Sequence, residues 1–262
     1  MITMNPIFLN LILPFFFGTV IGSFLNVCIY RIPKELSVIY PGSKCPQCDT
    51  KIGWADNIPI IGFLLLKGKC RACNNIISLR YLSVEVLTGI VSVVTMLTFG
   101  FSIEMTVYLI LFYILLVISV IDIEHFYIPN CLIYGILILW LMYWFNNFSL
   151  SFSIESFVAS GIFGGFLWAT RVAGQLVFKK EALGIGDVWL GFTLGLFLHW
   201  GDAIIALYIA FITAAIYGIG GMLSNRLFFG QKIPFGPFLA VGVFIEIILE
   251  TEIYHFIELY IF

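Results

Sequence analysis

The sequence predicts an all-α polytopic membrane protein with about eight transmembrane helices and a small cytoplasmic zinc-binding segment. Three observations predict this fold class. The 262 residues are 61% hydrophobic and only 11% charged, whereas soluble domains are roughly half apolar and a quarter charged. Long apolar stretches recur along the chain, and the basic residues fall on alternate connections between them. The chain therefore belongs in a lipid bilayer, and its net charge of -2 argues against a nucleic-acid partner.

The apolar stretches are the first element of the prediction. A spanning helix needs about 20 mostly apolar residues. Eight stretches approach this length, at residues 7–30, 82–100, 103–121, 127–145, 154–178, 186–200, 203–223 and 235–250. The first lacks the basic start and small-residue cleavage site of a signal peptide, so we expect it to be retained.

The orientation follows from the basic residues, because Lys and Arg in short loops are held on the cytoplasmic side. Twelve of the thirteen lie on connections that face the same side: Arg31, Lys34, Lys44, Lys51, Lys67, Lys69, Arg71, Arg80, Lys179, Lys180, Arg226 and Lys232. The opposite connections, such as residues 146–153, carry none. This pattern predicts a multi-pass membrane protein with its basic loops in the cytoplasm and both termini outside. The thirteenth, Arg171, lies within the fifth stretch and can snorkel towards the cytoplasm or pair with a carboxylate.

Three regions follow from this pattern. Residues 1–30 form the first transmembrane helix, residues 31–80 a water-exposed segment in the cytoplasm, and residues 81–262 a transmembrane bundle. The middle region holds eight basic residues and the Pro, Gly and Asn typical of loops.

A cysteine cluster lies in the middle region. Cys45 and Cys48 form one C-x-x-C pair, Cys70 and Cys73 form another, and 21 residues separate the pairs. This spacing is typical of four-thiolate zinc sites, which are closed to substrate and structural. Two disulfides are the alternative, but thiols stay reduced in the cytoplasm. Iron is the other metal that four cysteines would hold.

Two aspartates mark the candidate chemistry. Asp122 ends the third apolar stretch and Asp187 opens the sixth, after Gly184 and Gly186, so both are predicted at the cytoplasmic membrane edge. Ionisable residues in spanning segments are costly and therefore functional candidates. Two carboxyls in a poorly solvated pocket share a proton and divide into an acid and a base. That division is the chemistry of an aspartyl protease.

Their positions along the helices predict which carboxyl holds the proton. A helix dipole stabilises an anion at the N-terminus and disfavours one at the C-terminus. Asp187 begins a helix and Asp122 ends one. We therefore expect Asp187 to be ionised and Asp122 to carry the shared proton.

Four stretches together resemble the prepilin peptidase (type IV leader peptidase) family over nearly the whole chain. They are Gly22 to Pro33 followed by the cysteine pairs, Asp122 to Pro129, Glu181 to Asp187 with its G-x-G-D sequence, and Ile233 to Ala240. The resemblance implies a membrane aspartyl protease whose catalytic residues are Asp122 and Asp187. It implies that the partners are prepilins or pseudopilins in the membrane, cut after a Gly that ends a short basic leader.

The resemblance also implies a second reaction. Many members methylate the new N-terminal amine with S-adenosylmethionine. No glycine-rich nucleotide fingerprint marks a site for this cofactor, and Gly68, before Cys70, is the candidate.

One position departs from the family pattern. The G-D motif commonly continues with a Lys two residues later, where this chain has Trp189. Any contact that this Lys makes with substrate or cofactor is therefore in question, and Arg171 or Lys180 is the available substitute cation.

Two other classes of protein remain alternatives. A transporter also carries carboxylates in its membrane helices, but near the bilayer midplane rather than at one edge. An electron-transfer protein with iron on the four cysteines would be coloured, whereas a zinc protein is colourless.

Overall fold

The structure, a computed structural model, describes residues 8–179, 183–228 and 230–260, and these residues form helices joined by loops. A π-helical turn at Phe8–Ile12 precedes the first α-helix, and a short 3-10 turn at Ile32–Lys34 follows it. The α-helices are α1 (Leu13–Arg31), α2 (Ile61–Leu65), α3 (Leu79–Phe99), α4 (Ile103–His125), α5 (Asn130–Asn146), α6 (Leu150–Phe178), α7 (Ile185–Gly195), α8 (Trp200–Leu223) and α9 (Gly236–Tyr260). The chain divides into two compact units, residues 1–113 and 114–262, and the division falls within α4.

The helices confirm the prediction of an all-α membrane protein. In the described part of the chain, five helices are long and apolar enough to cross a bilayer: Asn10–Lys34, Leu79–Phe99, Ile103–His125, Leu150–Val177 and Trp200–Leu223. The apolar helix α5 has 17 residues. The stretch predicted at residues 186–200 covers α7 and reaches the first residue of α8. The 11 residues of α7 extend about 16 Å at 1.5 Å per residue. Helix α7 is therefore too short to cross a core of about 30 Å by itself.

In the first unit, α1 packs closely against α3. A Cβ atom at Gly18 would lie 2.1 Å from Ser92 Oγ, and one at Gly22 would lie 2.1 Å from Thr88 Oγ1. Small residues allow membrane helices to approach closely where lipid provides no hydrophobic driving force. The residues between α1 and α3, which include the four cysteines, are therefore anchored at both ends by a tightly packed pair.

In the second unit, α6 packs against α7 and α8 packs against α9, again through small residues. A Cβ atom at Gly195 in α7 would lie 2.6 Å from the Cα of Ser160 in α6. A Cβ atom at Gly242 in α9 would lie 2.3 Å from the carbonyl oxygen of Ala206 in α8. These contacts fix the positions of α7 and α9. The first turn of α7 contains Asp187, and the first residue of α9 contacts Asp122.

Candidate active site

Asp122 lies in the last turn of α4, and its residue is only 5% exposed. The helix ends where Phe126 adopts a positive φ of 56° and donates its N–H to the Asp122 carbonyl oxygen at 2.9 Å. A left-handed residue of this kind is a common helix terminator. The reversal of the chain leaves the Asp122 side chain buried beside the last turn.

The Asp122 carboxyl group has a partner 114 residues away. The backbone N–H of Gly236, the first residue of α9, donates to Oδ2 of Asp122 at 2.9 Å. The first N–H groups of a helix have no partner within the helix and attract anions. A Cβ atom on Gly236 would lie 3.0 Å from Oδ2, so glycine allows this approach.

This contact removes the basis of the proton assignment made from the sequence. The dipole argument considered only α4, whose C-terminal end disfavours an anion at Asp122. The N-terminus of α9 also acts on Asp122, and with the opposite sign. The two helix dipoles therefore oppose each other at Asp122, and they do not favour placing the shared proton there. The assignment of that proton to Asp122 stays a prediction.

Asp187 is the third residue of α7 and is 8% exposed. Its Oδ2 atom accepts the N–H of Gly184, the residue that caps the helix, at 3.0 Å. Its Oδ1 atom is buried and has no hydrogen-bond partner among the described residues. One oxygen therefore holds the carboxyl group in place, and the other is left for a proton, a water molecule or a substrate.

The fold brings the two aspartates together. Asp122 is close enough for its charge to act on Asp187. The chain just after Asp122 also contacts the residue just before Asp187, since a Cβ atom on Gly186 would lie 3.2 Å from the Cβ of Ile128. The absence of a side chain at Gly186 permits this close approach.

A cation also lies near Asp187. The guanidinium of Arg171, in α6, donates to the carbonyl oxygen of Leu183, one residue before the helix cap Gly184. Its charge acts on Asp187. Trp189, where the family commonly has Lys, is 56% exposed and lies against Phe192. Lys180 and Glu181 lie outside the described residues.

The four predicted metal ligands converge in the first unit. The Sγ atoms of Cys45, Cys48, Cys70 and Cys73 all lie within 4.8 Å of one another, and those of Cys45 and Cys73 are 3.9 Å apart. A tetrahedral zinc site with bonds of about 2.3 Å places its sulfurs about 3.8 Å apart. All six cysteines of the chain are free thiols rather than disulfides. The geometry therefore fits a four-thiolate metal site.

Each cysteine pair sits on the same kind of turn. Asp49 and Asn74, each one residue after a C-x-x-C pair, have φ values of 55° and 56°. Their N–H groups donate to the carbonyl oxygens of Cys45 and Cys70, both at 2.9 Å. Hydrogen bonds with the side chain and the backbone of Thr50, whose hydroxyl lies 3.4 Å from the Sγ of Cys48, lower the pKa of the Cys48 thiol to about 6. A backbone hydrogen bond at Asn75 lowers the pKa of Cys73, but burial and the neighbouring thiols together raise it to about 11. A metal binds the thiolate form, which the lower pKa of Cys48 favours.

The second cysteine turn also holds a distant loop. Arg71, between Cys70 and Cys73, forms a bidentate ion pair with Asp56 through hydrogen bonds of 2.9 and 2.6 Å. Hydrogen bonds from Arg71 hold the pKa of Asp56 below its ordinary value. The cysteine cluster is therefore linked to the loop that contains Asp56.

Gly68 has a conformational reason to be glycine. Its φ is +67°, and a Cβ atom there would lie 3.1 Å from the ring of Phe63. Its assignment to the cofactor stays a prediction.

The sequence did not predict the contacts of two residues. Gly236 lies in the stretch from Ile233 to Ala240 that resembles the family, but its contact with Asp122 was not predicted. The prolines near it, Pro234 and Pro237, were the available signal. Glu85, 8% exposed, accepts the N–H of Ile60 at 2.7 Å. A carboxylate in the second turn of a membrane helix was the signal for Glu85.

Two family models match the chain. Residues 16–99 match the bacterial peptidase A24 N-terminal domain, and residues 109–219 match the type IV leader peptidase family. No solved structure matches.

Three similar proteins from bacteria carry the same name. The chain is 32% identical over 260 residues to the prepilin leader peptidase/N-methyltransferase of Stutzerimonas stutzeri, covering 90% of this chain and 89% of that protein. Identity to the protein of the same name from Pseudomonas aeruginosa is 31%, with the same coverage. For that of Aeromonas salmonicida it is 32% over 267 residues, covering 92% of this chain and 91% of the relative.

Proposed function

The chain belongs to the type IV leader peptidase family, and we propose that Asp122 and Asp187 are the carboxyl groups with which it cleaves prepilin leaders. The relatives are named prepilin leader peptidase/N-methyltransferase, so the enzyme both removes the leader and methylates the new N-terminus. Both matching models describe peptidase domains, which favours an enzyme over a transporter or an electron-transfer protein.

The buried, unpaired Oδ1 atom of Asp187 beside Asp122 is the observation that carries the catalytic assignment. Two carboxyls at close range in a poorly solvated site do not both ionise, and they share a proton. Oδ2 of each is held by a backbone N–H at a helix start. Oδ1 of Asp187 has no protein partner among the described residues, so it is available to a reacting group.

The pair cleaves the peptide bond by general acid and base catalysis. The ionised carboxyl takes a proton from a water molecule as its oxygen attacks the carbonyl carbon after the leader glycine. The protonated carboxyl donates to the carbonyl oxygen. When the tetrahedral intermediate breaks down, the carbon–nitrogen bond cleaves and the leaving amine takes the proton that the base removed from water. The carboxyl that donated to the carbonyl oxygen takes its proton back from the new carboxyl group, which restores the pair.

The second reaction acts on the amine that cleavage releases. S-adenosylmethionine supplies a methyl group when it is bound. For the transfer, the amine must be uncharged and must lie in line with the bond that breaks. We place the cofactor in the first unit, which contains the matched N-terminal domain.

We assign Cys45, Cys48, Cys70 and Cys73 to one structural zinc ion. The distances between their sulfurs support this assignment. Four thiolates fill a tetrahedral zinc ion and leave no position for a substrate. The ion would fix the two turns, and with them Arg71 and its contact with Asp56.

The basic loops support a site that opens to the cytoplasm in the inner membrane. Twelve Lys and Arg residues lie on one set of alternate connections. Prepilins inserted in the same membrane would present their basic leaders on that side.

The catalytic assignment is tested with purified enzyme and a prepilin, with and without S-adenosylmethionine, read by mass spectrometry. We expect cleavage after glycine in both cases, and a further methyl mass only with the cofactor. Asp122→Asn and Asp187→Asn should each lower cleavage by about 100-fold or more, because each removes the acid or the base.

Asp49→Asn is the matched control, since Asp49 lies on an exposed cysteine turn. It should cleave at the wild-type rate. An Asp122 or Asp187 variant that cleaves nearly as fast as wild type would exclude the two-aspartate mechanism.

A further inference from the structure

The loop that joins α1 to α3 contains an uncharged segment between Asp56 and Lys67. Residues 57–66 read Asn-Ile-Pro-Ile-Ile-Gly-Phe-Leu-Leu-Leu and include the short helix α2. An apolar run of about 10 to 14 residues is too short to span a bilayer, and it is typical of a buried helix or of a segment at the membrane surface. The exposure of its side chains distinguishes the two.

Helix α2 is not buried, and its outward face is apolar. Ile61, Leu64 and Leu65 are 50%, 61% and 74% exposed, and their i, i+3, i+4 spacing places them on one side of the helix. Gly62 faces the protein, because a Cβ atom there would lie 2.3 Å from the carbonyl oxygen of Asp56. The outward face is therefore a patch of three large aliphatic side chains, which marks an interaction surface.

A hydrogen bond fixes the depth at which this segment begins. Glu85 accepts the N–H of Ile60 at 2.7 Å, and α3 has 21 residues that start at Leu79. At 1.5 Å per residue α3 extends about 32 Å, close to the thickness of a bilayer core, and Glu85 lies about 9 Å from its start. Side chains tilt back towards the N-terminus of a helix. Ile60 therefore lies between the level of Glu85 and the start of α3, which is the depth of a membrane–water boundary.

The same segment lies against the outward face of α1. Asn57 and Pro59 line a cavity of about 250 Å³ together with Val20, Ser23 and Phe24 of α1. Val20 and Phe24 are exposed apolar residues of a helix long enough to cross the membrane. Their side of α1 therefore faces lipid, and the residues that precede α2 lie beside that lipid-facing surface.

The backbone of the segment suits a place without water. In a bilayer, each backbone N–H needs a partner within the protein. The N–H of Ile60 donates to Glu85, and those of Gly62 and Leu64 donate to carbonyl oxygens four residues earlier at 2.8 and 3.0 Å. Pro59 has no N–H to satisfy. Glu85 thus supplies an acceptor at the point where the chain turns into α2.

The residues on either side suit the polar layer of a membrane. Lys67 and Lys69 follow α2 directly, and basic residues at this level attract anionic lipid headgroups. Trp54, three residues before the segment, is 84% exposed, and Trp is enriched at membrane–water interfaces. A basic prepilin leader does not suit this surface, because the two lysines repel its charge.

We infer that residues 57–66 form an interfacial segment whose outward face lies in the lipid of the cytoplasmic leaflet. The three aliphatic side chains of α2 contact acyl chains, and the two lysines after it contact lipid phosphates. Asp56, directly before the segment, pairs with Arg71 in the second cysteine turn, so the cysteine cluster is held at the membrane surface. Part of the region that the sequence predicts to be water-exposed is thereby in contact with lipid.

The test locates a tryptophan at position 65 in the full-length protein, reconstituted into vesicles of phosphatidylcholine and phosphatidylglycerol. Leu65→Trp adds a fluorophore on the outward face, and the wild-type protein gives the background of the six native tryptophans. Lipids with brominated acyl chains quench a fluorophore in lipid, whereas iodide, present on both sides of the vesicle, quenches one in water. We expect the brominated chains to remove about half or more of the added fluorescence and iodide to remove little, because the apolar face of an interfacial helix lies among the acyl chains.

Lys51→Trp is the matched control, because Lys51 is an exposed residue beside the first cysteine turn. Its added fluorescence should be quenched by iodide and not by the brominated chains. Leu64→Trp, on the same face of α2, should behave like Leu65→Trp. It decides the question if Leu65→Trp melts at a lower temperature than the wild-type protein.

Two results would overturn the inference. Quenching by iodide to the level of Lys51→Trp would show that α2 lies in water. Protection from both quenchers would show that a protein surface, such as a second copy of this chain, covers the face in place of lipid. Neither measurement depends on cleavage of prepilin, so failure of the proposed function would leave this result unchanged.

Discussion

Gly236 is the residue on which the Asp122 carboxyl group depends most directly. Its N–H donates to Oδ2 at 2.9 Å, and a Cβ atom there would be 3.0 Å from the same oxygen. A side chain at this position must therefore displace either the carboxyl group or the start of α9. The glycine and the aspartate act as one unit although 114 residues separate them.

This contact leads to a prediction for Gly236→Ala. A hydrogen bond to a charged group contributes about 1.5 to 3 kcal/mol, so its loss should lower the cleavage rate by about 10- to 100-fold. The rate constant for prepilin cleavage, measured at saturating substrate, tests this. Gly161→Ala is the control, because a Cβ atom there meets nothing within 4 Å. A Gly236→Ala enzyme as fast as the control would refute the contact.

A second prediction at this scale concerns the ion pair of Asp56 with Arg71. Asp56→Asn should lower the melting temperature of the protein, because the loop that contains Asp56 loses its link to the second cysteine turn. Asp49→Asn, which removes an acid that pairs with Lys44 on an exposed turn, should lower it less.

The pH dependence of this ion pair follows from the sign of the pKa shift. Arg71 lowers the pKa of Asp56 from an ordinary value of about 3.9. The pair is thus complete above that value and is lost only as the pH falls through the lower, folded-state pKa. The difference in melting temperature between wild type and Asp56→Asn should therefore be the same at pH 6 and pH 8. A difference that shrinks at pH 6 would contradict this assignment.

At the scale of whole elements, the connection from α6 to α7 determines how Asp187 is presented. Arg171 in α6 holds the carbonyl of Leu183, and the next residue, Gly184, caps α7 and donates to Asp187. Arg171 thus positions the start of α7 and also adds a positive charge near the carboxyl group.

We predict that Arg171→Gln lowers the cleavage rate constant by about tenfold with little change in KM, because a charge-assisted hydrogen bond is lost at a positioning residue. Arg171→Lys keeps the charge and should retain part of the rate. Trp189→Phe is the control, since Trp189 is exposed and lies against Phe192. Equal rates for Arg171→Gln and Arg171→Lys would argue against an effect of charge.

The second prediction at this scale concerns the zinc ion on the two cysteine turns. Metal analysis of purified protein should find about one zinc per chain. Replacing Cys45 and Cys48 with Ser should lower thermal stability and methylation more than cleavage, because the turns support the first unit. Cys131→Ser, at an exposed helix position, is the control. Full methylation by a metal-free protein would exclude this role.

On the scale of the whole molecule, the distribution of charge predicts how the chain crosses the membrane. A single Cys introduced at Lys232 should react with a membrane-impermeant maleimide only in inverted vesicles, and one at Asn147 only in intact cells. The wild-type protein gives the background from its own cysteines. Labelling of both positions from the same side would contradict the predicted topology.

The sequence by itself determined the features that depend on composition and local spacing. The apolar stretches indicated a membrane protein, the two C-x-x-C pairs indicated a four-thiolate cluster, and Asp122 and Asp187 stood out because carboxylates in membrane helices are costly. Each of these signals is a property of composition or of a short local motif, so folding is not needed to read it.

Tertiary structure alone decided which distant groups meet. The bond from Gly236 to Asp122 and the bond from Ile60 to Glu85 join segments 114 and 25 residues apart. Helices in a bilayer are apolar on nearly every face, so hydrophobic periodicity does not reveal which face packs inward. Small residues such as Gly22 and Gly186 set how closely the helices approach. That packing selects the partner of each buried carboxyl group.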